Sequence, residues 1–156
     1  MRMITIKRTN SEDAIFQLLV KELDVELKIR DGDEHSFYAQ FNKTDQIRHV
    51  VVAFDKDEPV GCGAFKEYSL DVMEIKRMFV RPNKRGSGIA SVILSELESW
   101  CIELGYKRCI LETGIKQPEA IRLYQKNGYL KIPNFGQYEN AENSVCFEKR
   151  IVSYNL

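Results

Sequence analysis

The sequence has no surplus of charge of either sign. Its 156 residues carry 23 Lys and Arg against 23 Asp and Glu, and the isoelectric point lies near 6.7. Wholesale binding to nucleic acid or an anionic membrane usually leaves a basic excess, so neither partner is expected. Hydrophobic residues make up 44% of the chain, which argues against intrinsic disorder, a state of low hydrophobicity and high net charge. No apolar run approaches the ~18 residues of a membrane span. The N-terminal Met-Arg-Met-Ile-Thr-Ile-Lys-Arg alternates like a strand and lacks the apolar centre of a signal peptide. Cys62, Cys101, Cys109 and Cys146 form no Cys-x-x-Cys pair and stand among apolar neighbours. They read as small buried hydrophobes rather than as metal ligands or a redox pair. His35 and His49 lie near no ligand cluster, so no metal is expected. A disulfide staple is not needed, because a chain of this length buries roughly two-thirds of its unfolded surface. These absences describe a cytoplasmic globular protein, one domain over residues 1–156.

What is present is a mixed pattern of strands and helices. Met3 to Lys7 reads as a strand, followed by a helix capped by Asn10 or Ser11, with Glu12 and Asp13 in its first turn. Ile15, Leu18, Leu19 and Leu23 recur at helical spacing. From Glu22 to Gln46 the pattern weakens, which predicts a second short helix and a loop. His49 to Phe54 and Pro59 to Tyr68 make a hairpin around Asp55-Lys56-Asp57-Glu58. Asp71 to Val80 is a further strand, with Glu74, Lys76, Met78 and Val80 on one face and Ile75, Arg77 and Phe79 on the other. An amphipathic helix from Ile89 ends at Gly105. Arg108 to Thr113 is a strand, Pro118 opens a helix closed by Asn127-Gly128, and Tyr129 to Ile132 and Asn143 to Ile151 complete the sheet. The fold class is therefore α/β: a mixed, mostly antiparallel central sheet flanked by helices.

Arg85-Gly86-Ser87-Gly88-Ile89-Ala90 joins a strand to the start of the amphipathic helix. Its glycines permit positive φ and close approach of a ligand to the backbone. The helix start offers unused N–H groups and a partial positive charge, and Arg85 can grip phosphate oxygens. A P-loop needs Lys-Ser/Thr after its last glycine, where this chain has Ile89-Ala90. A dinucleotide fingerprint needs a third glycine, where this chain has Ser91, and a glycine directly after the strand. Five residues intervene here, which disfavours a nucleotide-dependent oxidoreductase.

The segment from Glu74 to Ala90 resembles the central motif of the GNAT superfamily of acetyl-CoA-dependent N-acetyltransferases. That motif is Arg/Gln-x-x-Gly-x-Gly/Ala after a strand ending in Val-x-Pro, and Arg85, Gly88 and Ala90 match it. The segment from Gln117 to Tyr129 is similar to the same family's Asn-x-x-Ala-x-x-x-Tyr-x-x-x-Gly-Phe/Tyr stretch. Gln117 departs from the family's usual Asn and offers the same amide on a longer stem. The order of strands and helices matches over essentially the whole chain.

The resemblance implies acetyl-CoA as co-substrate and no metal. It implies direct transfer to a primary amine of a small molecule or peptide, within a ternary complex and without a covalent enzyme intermediate. It also leaves room for a homodimer. Backbone groups of Met78, Phe79 and Val80 would pair with the pantetheine arm in the manner of an added strand, while the side chains there are expected in the core. Arg85, Gly86, Ser87, Gly88, Ile89 and Ala90 would hold the pyrophosphate, and Gln117 would add a contact. Tyr124 would donate to the leaving sulfur as general acid; the alternative is an ordinary core residue. Glu74 would be the general base, acting directly or through a water, its pKa raised by partial burial; the alternative is a surface glutamate paired with Lys76 or another neighbour. Deprotonating a lysine-like amine at pH 7 costs about 4.6 kcal/mol, and an α-amine about 1.1, so the demand on a base depends on the acceptor. His35, Phe37, Tyr38, Phe135 and Tyr138 are candidates to line the acceptor pocket. Residues 22–34 hold six acidic and two basic side chains; they suit a cationic amine or form a solvated face. The rival reading from another class is a non-catalytic acyl-CoA-binding or sensing module on the same fold.

Overall fold

The computed structural model describes residues 3–39 and 47–151. Its strands are β1 (Ile4–Thr9), β2 (His49–Asp55), β3 (Glu58–Ser69), β4 (Val72–Val80), β5 (Arg108–Gly114), β6 (Leu130–Ile132) and β7 (Ser144–Arg150). Its helices are α1 (Ala14–Asp31), α2 (His35–Ala39), α3 (Ile89–Glu103) and α4 (Pro118–Lys126). The seven strands run in the order β1-β2-β3-β4-β5-β7-β6 and are mostly antiparallel. The parallel pair joins β4 to β5 through Val72↔Arg108, Met73↔Cys109 and Glu74↔Ile110. The mixed α/β sheet expected from the sequence is the one formed.

The chain divides into two compact units. The first lies within Met1–Lys66 and Lys76–Leu97. Here α1 lays Phe16, Leu19, Val20 and Leu23 on Val50, Val52, Cys62, Ala64 and Phe79 of the strands. Buried apolar side chains of this size contribute about 1.5–3 kcal/mol each, so this cluster is the unit's core. On the other face of β3, Gly61 and Gly63 make room for α3. A Cβ on Gly63 would stand 2.9 Å from both Ile93 and Leu97, and one on Gly61 would stand 2.7 Å from the Phe79 carbonyl oxygen.

The helix α1 differs from expectation at both ends. Its cap is Asp13, whose carboxylate accepts from the Phe16 N–H at 3.0 Å. Asn10 instead accepts from Glu12 N–H in the preceding turn, and no acidic residue stands in the first helical turn. At the other end α1 runs unbroken past Glu22 to Asp31, where Gly32 closes it at φ +55°. The remaining short helix is α2, and part of the loop expected up to Gln46 lies outside the described residues.

The second unit lies within Glu67–Ile75 and Glu98–Leu156. There β5 pairs with β7 along its whole length, and β6 pairs with the outer edge of β7. Tyr124 of α4 packs against Tyr129 and Phe147, with ring centroids 5.8 and 6.3 Å away. Tyr129 donates to Glu98 at 2.9 Å, and the same carboxylate accepts from Lys149 at 2.8 Å. A buried phenol and its charged acceptor are thus satisfied together.

Candidate active site

In the first unit, β4 ends at Val80 and the chain turns through a tight 3-10 segment, Pro82–Lys84. Ser87 fastens the turn by donating its hydroxyl to the Lys84 carbonyl at 2.8 Å. Gly86 and Gly88 follow at φ +79° and +85°, conformations that side-chain-bearing residues rarely adopt. A Cβ on either glycine would meet nothing within 4 Å. The glycines therefore serve backbone conformation and an open outer surface rather than internal packing. The helical bond from Val92 N–H to Gly88 carbonyl, at 3.1 Å, starts α3 directly after them. An open glycine turn feeding a helix N-terminus fits an anionic pyrophosphate.

The other loop residues divide between packing and surface. Ile89 is buried, and Ala90 is half-buried on the first turn of α3. Phe79 belongs to the α1 core, Val80 packs near Gly61, and the Met78 sulfur lies beside Gly63. Their side chains are used in the interior, as expected. Beside the loop is a cleft of about 450 Å³ lined by Lys56, Asn83, Lys84, Arg85 and Ser87, with Asp55 and Glu58 at its wall. Lys84 reaches both carboxylates, at 3.4 and 3.5 Å.

The acidic stretch of α1 does not form a plain solvated face. Glu22 holds Arg81 through two bonds of 3.1 and 2.8 Å. Glu26 pairs with Arg85 at 2.7 Å, and Asp24 pairs with Arg77. Arg77 is unusual in two respects. It sits within β4 at φ +58°, and its side chain is only 1% exposed whereas that of Asp24 is 52% exposed. Its Nε and Nη1 are buried without a hydrogen-bond partner. The left-handed residue breaks the two-residue alternation of the strand, so the simple division of β4 into two faces fails at Arg77.

In the second unit, Glu74 is 2% exposed. It is an interior carboxylate, and the surface alternative for it is overturned by that burial. Tyr138 is buried close by, its pKa raised by burial and then by the charges of Glu112 and Glu74. The Cys146 thiol is pushed up to about 11, chiefly by burial, with the same two carboxylates adding to the effect. Glu112 of β5 accepts from the Ser144 hydroxyl at 2.7 Å. Burial raises the pKa of Tyr124, and Glu112 raises it further. The phenol stays protonated throughout the neutral range and is a standing hydrogen-bond donor.

Glu112 escaped the sequence reading, although a lone carboxylate in the apolar run Cys-Ile-Leu-Glu-Thr was its signal. Gln117 stands as the cap of α4, where its carbonyl accepts from Ala120 and Ile121. Its side-chain amide lies against Gly114 at the end of β5. Phe135 packs edge-on to Tyr138 at 5.9 Å and to Tyr68 at 5.3 Å. Tyr68 was not foreseen as part of this aromatic group. In the first unit, Phe37 and Tyr38 stack edge-to-face at 5.0 Å, and the His35 Nδ1 is buried without a partner. Among the described residues no three His, Cys, Asp or Glu side chains are grouped to hold a metal ion, and no helix is long and apolar enough to cross a membrane.

Residues 13–129 match the family model described as the acetyltransferase (GNAT) family. An IAA acetyltransferase of Azospirillum brasilense is 34% identical over 157 residues, covering 94% of this chain and 97% of that protein. A structure from Klebsiella pneumoniae described as an acyl-CoA N-acyltransferase superposes with a TM-score of 0.80 at 30% identity, covering 96% and 98% of the two chains. The PaiA N-acetyltransferase of Thermoplasma acidophilum, solved in complex with coenzyme A, shares the fold at a TM-score of 0.68 and 19% identity, over 95% and 99%. The open glycine turn, the fold and these likenesses agree: the chain belongs to the GNAT family of acetyl-CoA-dependent acetyltransferases.

Proposed function

We propose that the protein moves the acetyl group of acetyl-CoA to a primary amine of a small molecule or peptide, by direct transfer in a ternary complex. The observation that carries this reading is the Gly86–Gly88 turn, open on its outer side and delivered to the N-terminus of α3. Acetyl-CoA supplies the acyl group as a thioester. Arg85, Gly86, Ser87, Gly88, Ile89 and Ala90 present guanidinium and backbone N–H donors to the pyrophosphate. The backbone of Met78, Phe79 and Val80 pairs with the pantetheine amides, and Gln117 adds its amide. Tyr124 donates to the sulfur as it leaves. Glu74 takes a proton from the incoming ammonium, directly or through a water, and Glu112 is a second carboxylate available for that task. Phe135 and Tyr138 form the aromatic side of the acceptor subsite, and protonated amines suit such a pairing of rings and carboxylates.

The test has two readouts. At a hundred-fold excess over Kd, acetyl-CoA should raise the melting temperature by roughly 5–10 °C, with far smaller shifts from NAD and ATP. Equal shifts, or none, would remove the cofactor assignment. A panel of amino acids, polyamines, peptides and amine antibiotics, assayed for thiol release, then separates catalysis from binding. Stabilisation by acetyl-CoA with no turnover on any amine would favour the non-catalytic module.

A further inference from the structure

Arg85 is held on three sides before any ligand arrives. Its Nε donates to the Val80 carbonyl at 2.8 Å, its Nη2 donates to Glu26 at 2.7 Å, and its guanidinium carbon lies 5.7 Å from the centre of the Phe79 ring. None of these partners takes Nη1. The second oxygen of Glu26 is engaged one helical turn on, by Arg30 at 3.1 Å. We propose that Glu26 is a positioning residue for the cofactor: it fixes Arg85 in the orientation that presents Nη1 to the pyrophosphate. This rests on the reading of Arg85 as a pyrophosphate contact.

Two opposing effects decide the sign. A carboxylate beside a phosphate-binding arginine repels the incoming anion. An arginine left loose must instead surrender rotamer freedom when it binds. Two guanidinium groups share the one carboxylate, so Glu26 does not neutralise Arg85 alone and Arg85 still attracts an anion. Both Glu26 and Arg85 are partly solvated, at 24% and 35% side-chain exposure, which screens the repulsion further. Orientation therefore prevails, and removing the carboxylate weakens binding. Because Glu26 and Arg30 lie on the last turns of α1, the same bonds tie the loop to the helix that leads into α2.

The experiment is titration calorimetry of coenzyme A into the full-length protein and its Glu26→Ala, Glu26→Gln, Arg85→Ala and Glu26→Ala/Arg85→Ala variants, with steady-state kinetics alongside. Glu26→Ala should weaken Kd roughly three- to five-fold, and KM for acetyl-CoA should rise by a larger factor than kcat falls. Glu26→Gln is isosteric and keeps an oxygen acceptor, so it should recover part of the loss. In the Arg85→Ala background Glu26→Ala should add nothing. Unchanged or tighter binding by both Glu26 variants, while Arg85→Ala weakens it, overturns the role of Glu26 alone. Wild-type affinity in Arg85→Ala overturns the loop assignment and this inference with it.

Discussion

Tyr124 gathers three properties that an acid catalyst on a leaving thiolate requires. It is buried, it is held by rings on two sides, and its phenol is kept protonated by burial and by Glu112. A fixed donor in a dry setting loses little on reorganisation when charge develops on sulfur. Tyr124→Phe should therefore lower kcat by roughly a hundred-fold while coenzyme A affinity, measured by calorimetry, stays close to wild type. Unchanged turnover would leave Tyr124 as packing alone. At this scale some residues were legible in the sequence and others were not. Arg85, Gly88 and Tyr124 stand in a motif. Glu112 and Tyr68 sit in ordinary strand periodicity, and their contacts are with neighbours distant in sequence, Ser144 for one and Phe135 for the other. Arg77 left no mark, because a left-handed conformation at a non-glycine residue has no compositional signature.

Among the elements, helix α3 depends on what it rests upon. Its buried stripe within the first unit is Ile89, Ile93, Leu94 and Leu97, while Val92 is exposed. Ile93 and Leu97 reach β3 only because Gly61 and Gly63 have no side chains. Gly63→Val should force α3 outward and destabilise the protein by roughly 1–3 kcal/mol, read as a lower urea midpoint. A midpoint equal to wild type would show that α3 does not lean on β3 there. Helix α1 teaches why its length was hard to read. Its apolar periodicity fades beyond Leu23 because Glu22, Asp24 and Glu26 take over as partners of Arg81, Arg77 and Arg85. Those arginines lie more than fifty residues away in the chain. Periodicity reports contact with an apolar core, and it is silent about a helix anchored by ion pairs.

Taken over the whole chain, a net charge of zero turns out to be organised. Five basic residues lie between Lys76 and Arg85, and three of them, Arg77, Arg81 and Arg85, form ion pairs with the acidic segment of α1 within the first unit. The succession of strands and helices along the chain and the glycine turn were readable because hydrophobic alternation and glycine spacing are local properties. The acid–base pairing was not, because it exists only once the chain has closed. A last consequence concerns the four thiols, all of them in the described residues and all buried. Burial pushes Cys62 up to about 12 and Cys146 up to about 11, while the hydrogen bond with Cys109, and then burial, raise Cys101. Thiol reagents attack the thiolate, so the folded protein should resist a chromogenic disulfide for many minutes and yield all four equivalents only in guanidinium. Rapid labelling of the native protein would contradict that burial. An enzyme whose by-product is a free thiol is thus itself nearly invisible to the reagent that counts it, so its turnover can be followed continuously against a quiet background.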